Sequence, residues 1–251
     1  MSISVEVLGS EAAWPSASRA CTGFLIEADG GRLLIDCGTG IFERLRAAIP
    51  PEEVGDIVVS HPHFDHIADL IPFRYYLAFE ARPEHPPKLH LPPGASEKLR
   101  KVVEPIDPTP GFFTDVFDAS AYDPERELRI GSLSITFHKT RHPVDTFAMR
   151  LTSEGGETVV YSADTGWLDS LAAFAEGADL FICEATWADG EGNPDIHLSA
   201  PEAGRLASMA GAKKLALTHV AEPLAKAAAD AARKEFEGPV EHAAAGSTLE
   251  L

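Results

Sequence analysis

The stretch Ser60-His61-Pro62-His63-Phe64-Asp65-His66 places four ligand-type side chains, His61, His63, Asp65 and His66, within six residues. It follows directly on Asp56–Ser60 (DIVVS), an apolar run of strand length. Imidazole nitrogen and carboxylate oxygen are the donors that suit zinc and related first-row ions. The chain has 10 histidines in 251 residues, so three of them in six positions beside an aspartate mark a ligand loop rather than a solvated polar one. A loop leaving a strand can aim alternate residues at one cation and the intervening ones at a second.

Three later segments repeat the arrangement of a β run followed by a ligand-capable residue. Ser132–His142 (SLSITFHKTRH) ends at His142, Glu157–Asp164 (ETVVYSAD) at Asp164, and Lys213–His219 (KKLALTH) at His219. In open α/β sheets, ligands bind outside the carboxyl ends of strands, so these segments are expected to converge on one place. The count is five histidines and two aspartates, enough for two divalent ions sharing one carboxylate.

Around these residues the pattern is mixed α and β. Ile3, Val5 and Val7 alternate with polar residues. Phe24–Glu27 and Arg32–Asp36 flank Asp29-Gly30-Gly31, a hairpin turn signal. Helices are expected at Ile41–Ala48, Ile67–Ala81, Ser96–Val103 and, rich in alanine, Pro223–Glu237. Ser199 with Glu202 three residues on forms a capping box before the apolar pattern of Ala203, Leu206, Ala207 and Ala210, and Gly211 supplies the stop. Pro83–Pro93 reads as loop and edge strand, and Thr109–Asp123 as an aromatic loop that packs down as core or, as the alternative, lines a pocket. Strands come in two batches with no composition break between them, so residues 1–251 read as one domain.

Composition narrows the class of partner. Lys and Arg number 21 against 39 Asp and Glu, a net charge of −18, and nucleic-acid affinity comes largely from neutralising phosphates with basic residues. No long nucleic acid is therefore expected as a partner, and a bound cation would have to supply the positive field for any phosphate chemistry. Cys21, Cys37 and Cys183 are sparse and lie in or beside apolar runs, which suits reduced, buried thiols. The opening MSISVEVLG shows no export pattern, and no apolar run approaches the roughly 20 residues of a membrane span. A cytoplasmic protein without membrane attachment is the expectation.

His61, His63, Asp65, His66, His142, Asp164 and His219, with the early Leu33–Gly40 (LLIDCGTG), resemble the metallo-β-lactamase superfamily, whose motif is HxHxDH followed by a distant His, an Asp and a final His. The resemblance covers nearly the whole chain. It implies an α+β fold, a four-layer αββα sandwich with two metal ions at one edge. It also implies His61, His63 and His142 on one ion, Asp65, His66 and His219 on the other, and Asp164 bridging. Tyr161–Gly166 (YSADTG), Cys183–Trp187 (CEATW), His197–Gly204 (HLSAPEAG) and Leu217–Val220 (LTHV) are similar to the ribonuclease Z-like phosphodiesterase branch. In that branch a glutamate and a histidine assist the leaving group, here Glu184 and His197.

The transfer-RNA-processing members carry a long arm between the third metal histidine and the bridging aspartate. Here Asp164 lies only 22 positions beyond His142, space for a hairpin and no arm. What remains resembles bacterial members that hydrolyse cyclic nucleotides, with His142–Leu151 (HPVDTFAMRL) as a further likeness. The expectation is a binuclear hydrolase, with zinc first and manganese or iron as alternatives, that cleaves a small phosphodiester by attack of metal-activated hydroxide. Asp65 would orient the nucleophile, and His197 with Glu184 would serve the leaving oxygen. A lactone, thioester or ester hydrolase on the same ions is the alternative, and a non-hydrolytic di-iron module a second. A homodimer suits the branch. Arg19, Arg74 and Arg141 offer cations to a phosphate, Tyr75 and Tyr76 rings to a base, and Ser162 and Thr165 hydroxyls to brace Asp164.

Overall fold

The computed structural model describes residues 3–190, 192–193 and 195–251. In chain order the first half runs β1 (Ser4–Gly9), β2 (Gly23–Ala28), β3 (Gly31–Ile35), α1 (Ile41–Ala48), β4 (Asp56–Val58), α2 (Phe64–Ile67), α3 (Leu70–Tyr76), β5 (Lys88–Leu91), α4 (Ala95–Val103) and β6 (Asp118–Ala121). The second half runs β7 (Leu128–Ile130), β8 (Leu133–Lys139), β9 (Phe147–Thr152), β10 (Thr158–Tyr161), α5 (Asp169–Phe174), β11 (Leu180–Glu184), α6 (Ala200–Ala210), β12 (Leu215–Thr218), α7 (Ala225–Ala232), β13 (Val240–His242) and β14 (Thr248–Leu249).

These strands build two seven-stranded sheets, ordered β14-β1-β2-β3-β4-β5-β6 and β13-β12-β11-β10-β9-β8-β7. Successive strand residues point to opposite faces, and here both faces are covered, which is why runs such as FLI and LLI are apolar throughout. Phe24, Ile26, Leu33 and Ile35 meet Met149, Leu151, Val159 and Ile182 in a core between the sheets. Their neighbours Leu25, Leu34 and Ile57 face outward onto α1, α3 and α4. On the far side Val160, Phe181, Cys183 and Leu217 pack under α5, α6 and α7. The layers are helices, sheet, sheet, helices, the αββα sandwich expected. Among the described residues no helix is long and apolar enough to cross a membrane.

The β2–β3 hairpin forms where its turn signal lies. Ala28 pairs with Gly31, and Asp29 (φ 51°) and Gly30 (φ 80°) are both left-handed, as a type I′ turn requires. The capping box at Ser199 is complete, and Gly211 (φ 60°) ends α6. Cys21, Cys37 and Cys183 are buried thiols, and the aromatics Phe112, Phe113, Phe117 and Tyr122 are buried as core.

Three expectations are corrected. The helix read over Ile67–Ala81 starts earlier, at Phe64, and breaks at Asp69, whose carboxylate accepts the N–H groups of Gly40 and Phe42, each at 2.9 Å. Pro72 then falls in the first turn of α3, where a missing N–H costs nothing. The strand within Pro83–Pro93 is not an edge: β5 is paired with β4 on one side and β6 on the other, its flanking prolines lying outside Lys88–Leu91. The alanine-rich helix is shorter at both ends, Ala225–Ala232: Glu222–Leu224 forms a separate 3-10 turn around Pro223, and past Ala232 the chain continues as turns.

Candidate metal centre

The centre is built where strands of both sheets end. β4 delivers the SHPHFDH loop, while β8, β10, β11 and β12 run in one direction and release His142, Asp164, Glu184 and His219 at the same edge. At two of these ends, and after the neighbouring β3, the chain turns through left-handed backbone that L-residues adopt rarely: Ala163 after β10 (φ 50°), His219 after β12 (φ 58°) and Asp36 after β3 (φ 57°). These kinks re-aim the following side chains across the sheet edge.

All seven predicted ligand residues meet there, in two groups. His61, His63, His142 and Asp164 form one; Asp65, His66, Asp164 and His219 form the other, so Asp164 belongs to both. His63 Nδ1 lies 3.1 Å from His61 Nε2 and 3.1 Å from His142 Nε2. Asp164 Oδ2 is 3.6 Å from His61 Nε2 and 3.8 Å from His142 Nε2. In the second group His219 Nε2 is 3.2 Å from Asp65 Oδ2 and 3.6 Å from Asp164 Oδ2, and His66 Nε2 is 3.3 Å from Asp164 Oδ1. Two ligands of a tetrahedral zinc with bonds of about 2.0–2.1 Å stand roughly 3.3–3.4 Å apart, so these separations fit a cation's coordination shell.

The hydrogen bonds behind the ligands decide which ring atom faces inward. His66 Nδ1 donates to Asp36 Oδ2 at 2.8 Å, and His142 Nδ1 to the Ile196 carbonyl at 3.0 Å. Ser60 Oγ gives its proton to Asp36 Oδ2, so at 3.0 Å from His61 Nδ1 it accepts. Thr186 Oγ1 likewise donates to Glu184 Oε2 and accepts from His219 Nδ1 at 2.8 Å. Four imidazoles thus carry the proton on Nδ1 and turn a lone pair on Nε2 into the cluster. His66 Nε2 and Asp164 Oδ1 are buried without a hydrogen-bond partner. Orphaned buried atoms in a ring of converging lone pairs are what a cation would satisfy, so the residues fit a metal pair.

Charge within the centre is divided. Burial drives His61 well below the ordinary imidazole range, lowers His63, and brings His142 down to about 4. Burial also opposes charge on His66 and His219, but Asp164, with Asp36 for the first and Asp65 for the second, outweighs it and raises both. The cost of burying Asp164 is in turn overcome by His219, His66 and His61, which hold its carboxyl well below the usual range.

Residues 31–220 match the family description "Beta-lactamase superfamily domain". The probable metallo-hydrolase YhfI of Bacillus subtilis is 37% identical over 220 residues, 86% of each chain. The chain belongs to the metallo-β-lactamase superfamily. A crystal structure of the Bacillus subtilis metallo-β-lactamase fold protein YhfI superposes with a TM-score of 0.88 at 33% identity over the whole of both chains. A protein named ribonuclease Z from Halorubrum lacusprofundi is 29% identical over 301 residues, covering 95% of this chain and 94% of its own.

Other residues weighed for this superfamily site fall into place differently. His197, half-buried, has Nδ1 2.9 Å from Glu184 Oε1, and its ring centroid lies 5.3 Å from that of His142 and 5.1 Å from that of His219. Glu184 is fully buried and spends both oxygens on His197, Thr165 N and Thr186. It reaches the cleft only through those partners. Ser162 and Thr165 do not brace the Asp164 carboxylate: their hydroxyls donate to the carbonyls of Ala163 and Gly166. Arg19 pairs with Glu222, and Arg74 is buried against Asp115 and the Phe112 ring. Tyr75 and Tyr76 donate to Asp107 and Glu52. Arg141 is exposed beside His142, tied through its backbone to Thr165 and Gly166. Asp36, Ser60, Tyr161 and Thr186 were not singled out as site residues from sequence. Asp36 carried the available signal, an acid directly after the apolar strand Leu33–Ile35, the same signal that marked Asp164.

Proposed function

We propose that the chain is a binuclear hydrolase acting on a small phosphodiester such as a cyclic nucleotide. The observation that carries this reading is the meeting of two ligand groups through Asp164, with the His197–Glu184 pair directly beside them. His61, His63 and His142 would hold one divalent ion, Asp65, His66 and His219 the other, with Asp164 between. The nitrogen-rich donor set favours zinc over manganese or iron. Bound there, the ions supply positive charge facing a phosphate and lower the pKa of water from about 15.7 to roughly 7.

The protein's own part follows from its hydrogen bonds. Glu184 fixes His197 through Nδ1, which leaves Nε2 to give a proton to the departing oxygen. Asp65, at the mouth of the second group, orients the attacking water. Residues between His142 and Asp164 are taken up by the β9–β10 hairpin, which leaves no projecting arm, and with a net charge of −18 this favours a small diester over transfer RNA. The relative named ribonuclease Z supports phosphodiester chemistry. The branch resemblance also supports a homodimer.

Metal content and turnover should be measured together on a bis-aryl phosphodiester, cyclic AMP, cyclic GMP, short RNA, a thioester and a lactone. Two ions per chain and diester hydrolysis are expected, with His63→Ala and Asp164→Ala folded but inactive. Full activity in either variant would refute the assignment. Turnover confined to the thioester or lactone would establish the alternative hydrolase.

A further inference from the structure

Tyr161 is fully sequestered at the end of β10, its ring edge-on to Phe24 with centroids 5.3 Å apart. Its hydroxyl donates to Asp36 Oδ2 at 3.1 Å. That same oxygen accepts from His66 Nδ1 and Ser60 Oγ, each at 2.8 Å, while Asp36 Oδ1 accepts from Ser60 N at 2.7 Å. Asp36 directly follows β3 of the first sheet and Tyr161 ends β10 of the second, so the carboxylate that orients His66 is gripped from both sides. Asp36 also sits in left-handed backbone (φ 57°), a conformation that persists only where surrounding contacts over-determine it. Tyr161 reaches no ligand directly. Its influence passes to His66 in one step, and to His61 only through Ser60 as a further link.

We propose that Tyr161 is a positioning residue for His66: through Asp36 it fixes the ring and tautomer of that ligand, and so sets the affinity of the ion held by Asp65, His66 and His219 selectively over the other. The inference rests on the binuclear reading above. Partners behind metal ligands typically change affinity by about 10–100-fold when removed, and Tyr161, one bond further out, is expected at the lower end.

The test is zinc binding to the full chain by competition with a chromophoric chelator, comparing wild type with Tyr161→Phe. His142→Ala, which removes a ligand of the other group only, assigns the two steps. Tyr161→Phe is expected to weaken the His66-side ion about tenfold and leave the other ion nearly unchanged. Equal weakening of both steps would show general loosening of the core, and no weakening would show an idle hydroxyl; either overturns the proposal while the binuclear reading stands. Fewer than two ions on the wild type overturns both. Should Tyr161→Phe not accumulate as folded protein, Asp36→Asn tests the same bond from its acceptor side, with selective loss of the same ion again the expected result.

Discussion

Glu184 Oε1 and Oε2 face different partners, His197 on one side and Thr186 on the other, and Thr186 accepts from His219. One buried carboxylate therefore orients both the proposed proton donor and a ligand histidine. If His197 protonates the leaving oxygen, its loss should matter in proportion to how poorly that oxygen leaves. His197→Ala is expected to lower kcat by about 10²–10⁴-fold on an alkyl phosphodiester, and far less on a bis(4-nitrophenyl) diester whose leaving group needs no proton. Glu184→Gln should follow the same leaving-group pattern. Steady-state kinetics on the two esters decide this; an equal drop on both would assign His197 to binding or structure instead.

At the scale of elements, the metal loop is seated by close backbone approaches. Thr22 N donates to the Asp65 carbonyl and Cys37 N to the His66 carbonyl, which clamps the loop to the segments before β2 and after β3. Gly38 lies so near that a Cβ on it would stand 1.8 Å from the Asp65 carbonyl oxygen. Gly38→Ala must push the loop away, at an overpacking cost of roughly 1–3 kcal/mol. A lowered Tm together with reduced zinc content is expected, measured by thermal melting and elemental analysis. Unchanged zinc content in a destabilised variant would show the loop's seat to be separable from its ligands. The elements themselves were legible to different degrees. The β2–β3 hairpin and α6 carry local turn and cap chemistry and stand where the sequence places them. The Ile67–Ala81 stretch does not read as broken, because its break comes from backbone groups bonded far along the chain: Asp69 N donates to the Cys37 carbonyl, and the Asp65 and His66 carbonyls accept from Thr22 N and Cys37 N.

Across the whole molecule, one edge of a −18 chain gathers a largely buried cluster whose histidines are held in unlike charge states. His66 and His219 are raised above the ordinary imidazole value by carboxylates, which favours protonated rings there in the metal-free chain. A cation needs the neutral rings, so zinc uptake must expel those protons, and affinity should rise with pH. Calorimetric titration at pH 7 in buffers of different ionisation enthalpy is expected to show net proton release. Buffer-independent heats would contradict the charge division described above. Stripping the ions should also lower Tm, since ligands that bind only the folded chain stabilise it by mass action.

The candidate ligand residues and the strand ends that bring them together could be named from the chain alone, because donor chemistry and apolar periodicity are properties of short segments. SHPHFDH, and the single residues His142, Asp164 and His219 after their β runs, needed no tertiary information to be named. Folding alone decided which nitrogen each ring presents, that Glu184 acts through His197 and Thr186 rather than in the cleft, and that Asp36 and Tyr161 stand behind His66. Those outcomes depend on hydrogen bonds between residues up to 125 positions apart in different sheets. No local pattern in a sequence encodes such a meeting, since the partners share nothing until two apolar sheets are packed face to face.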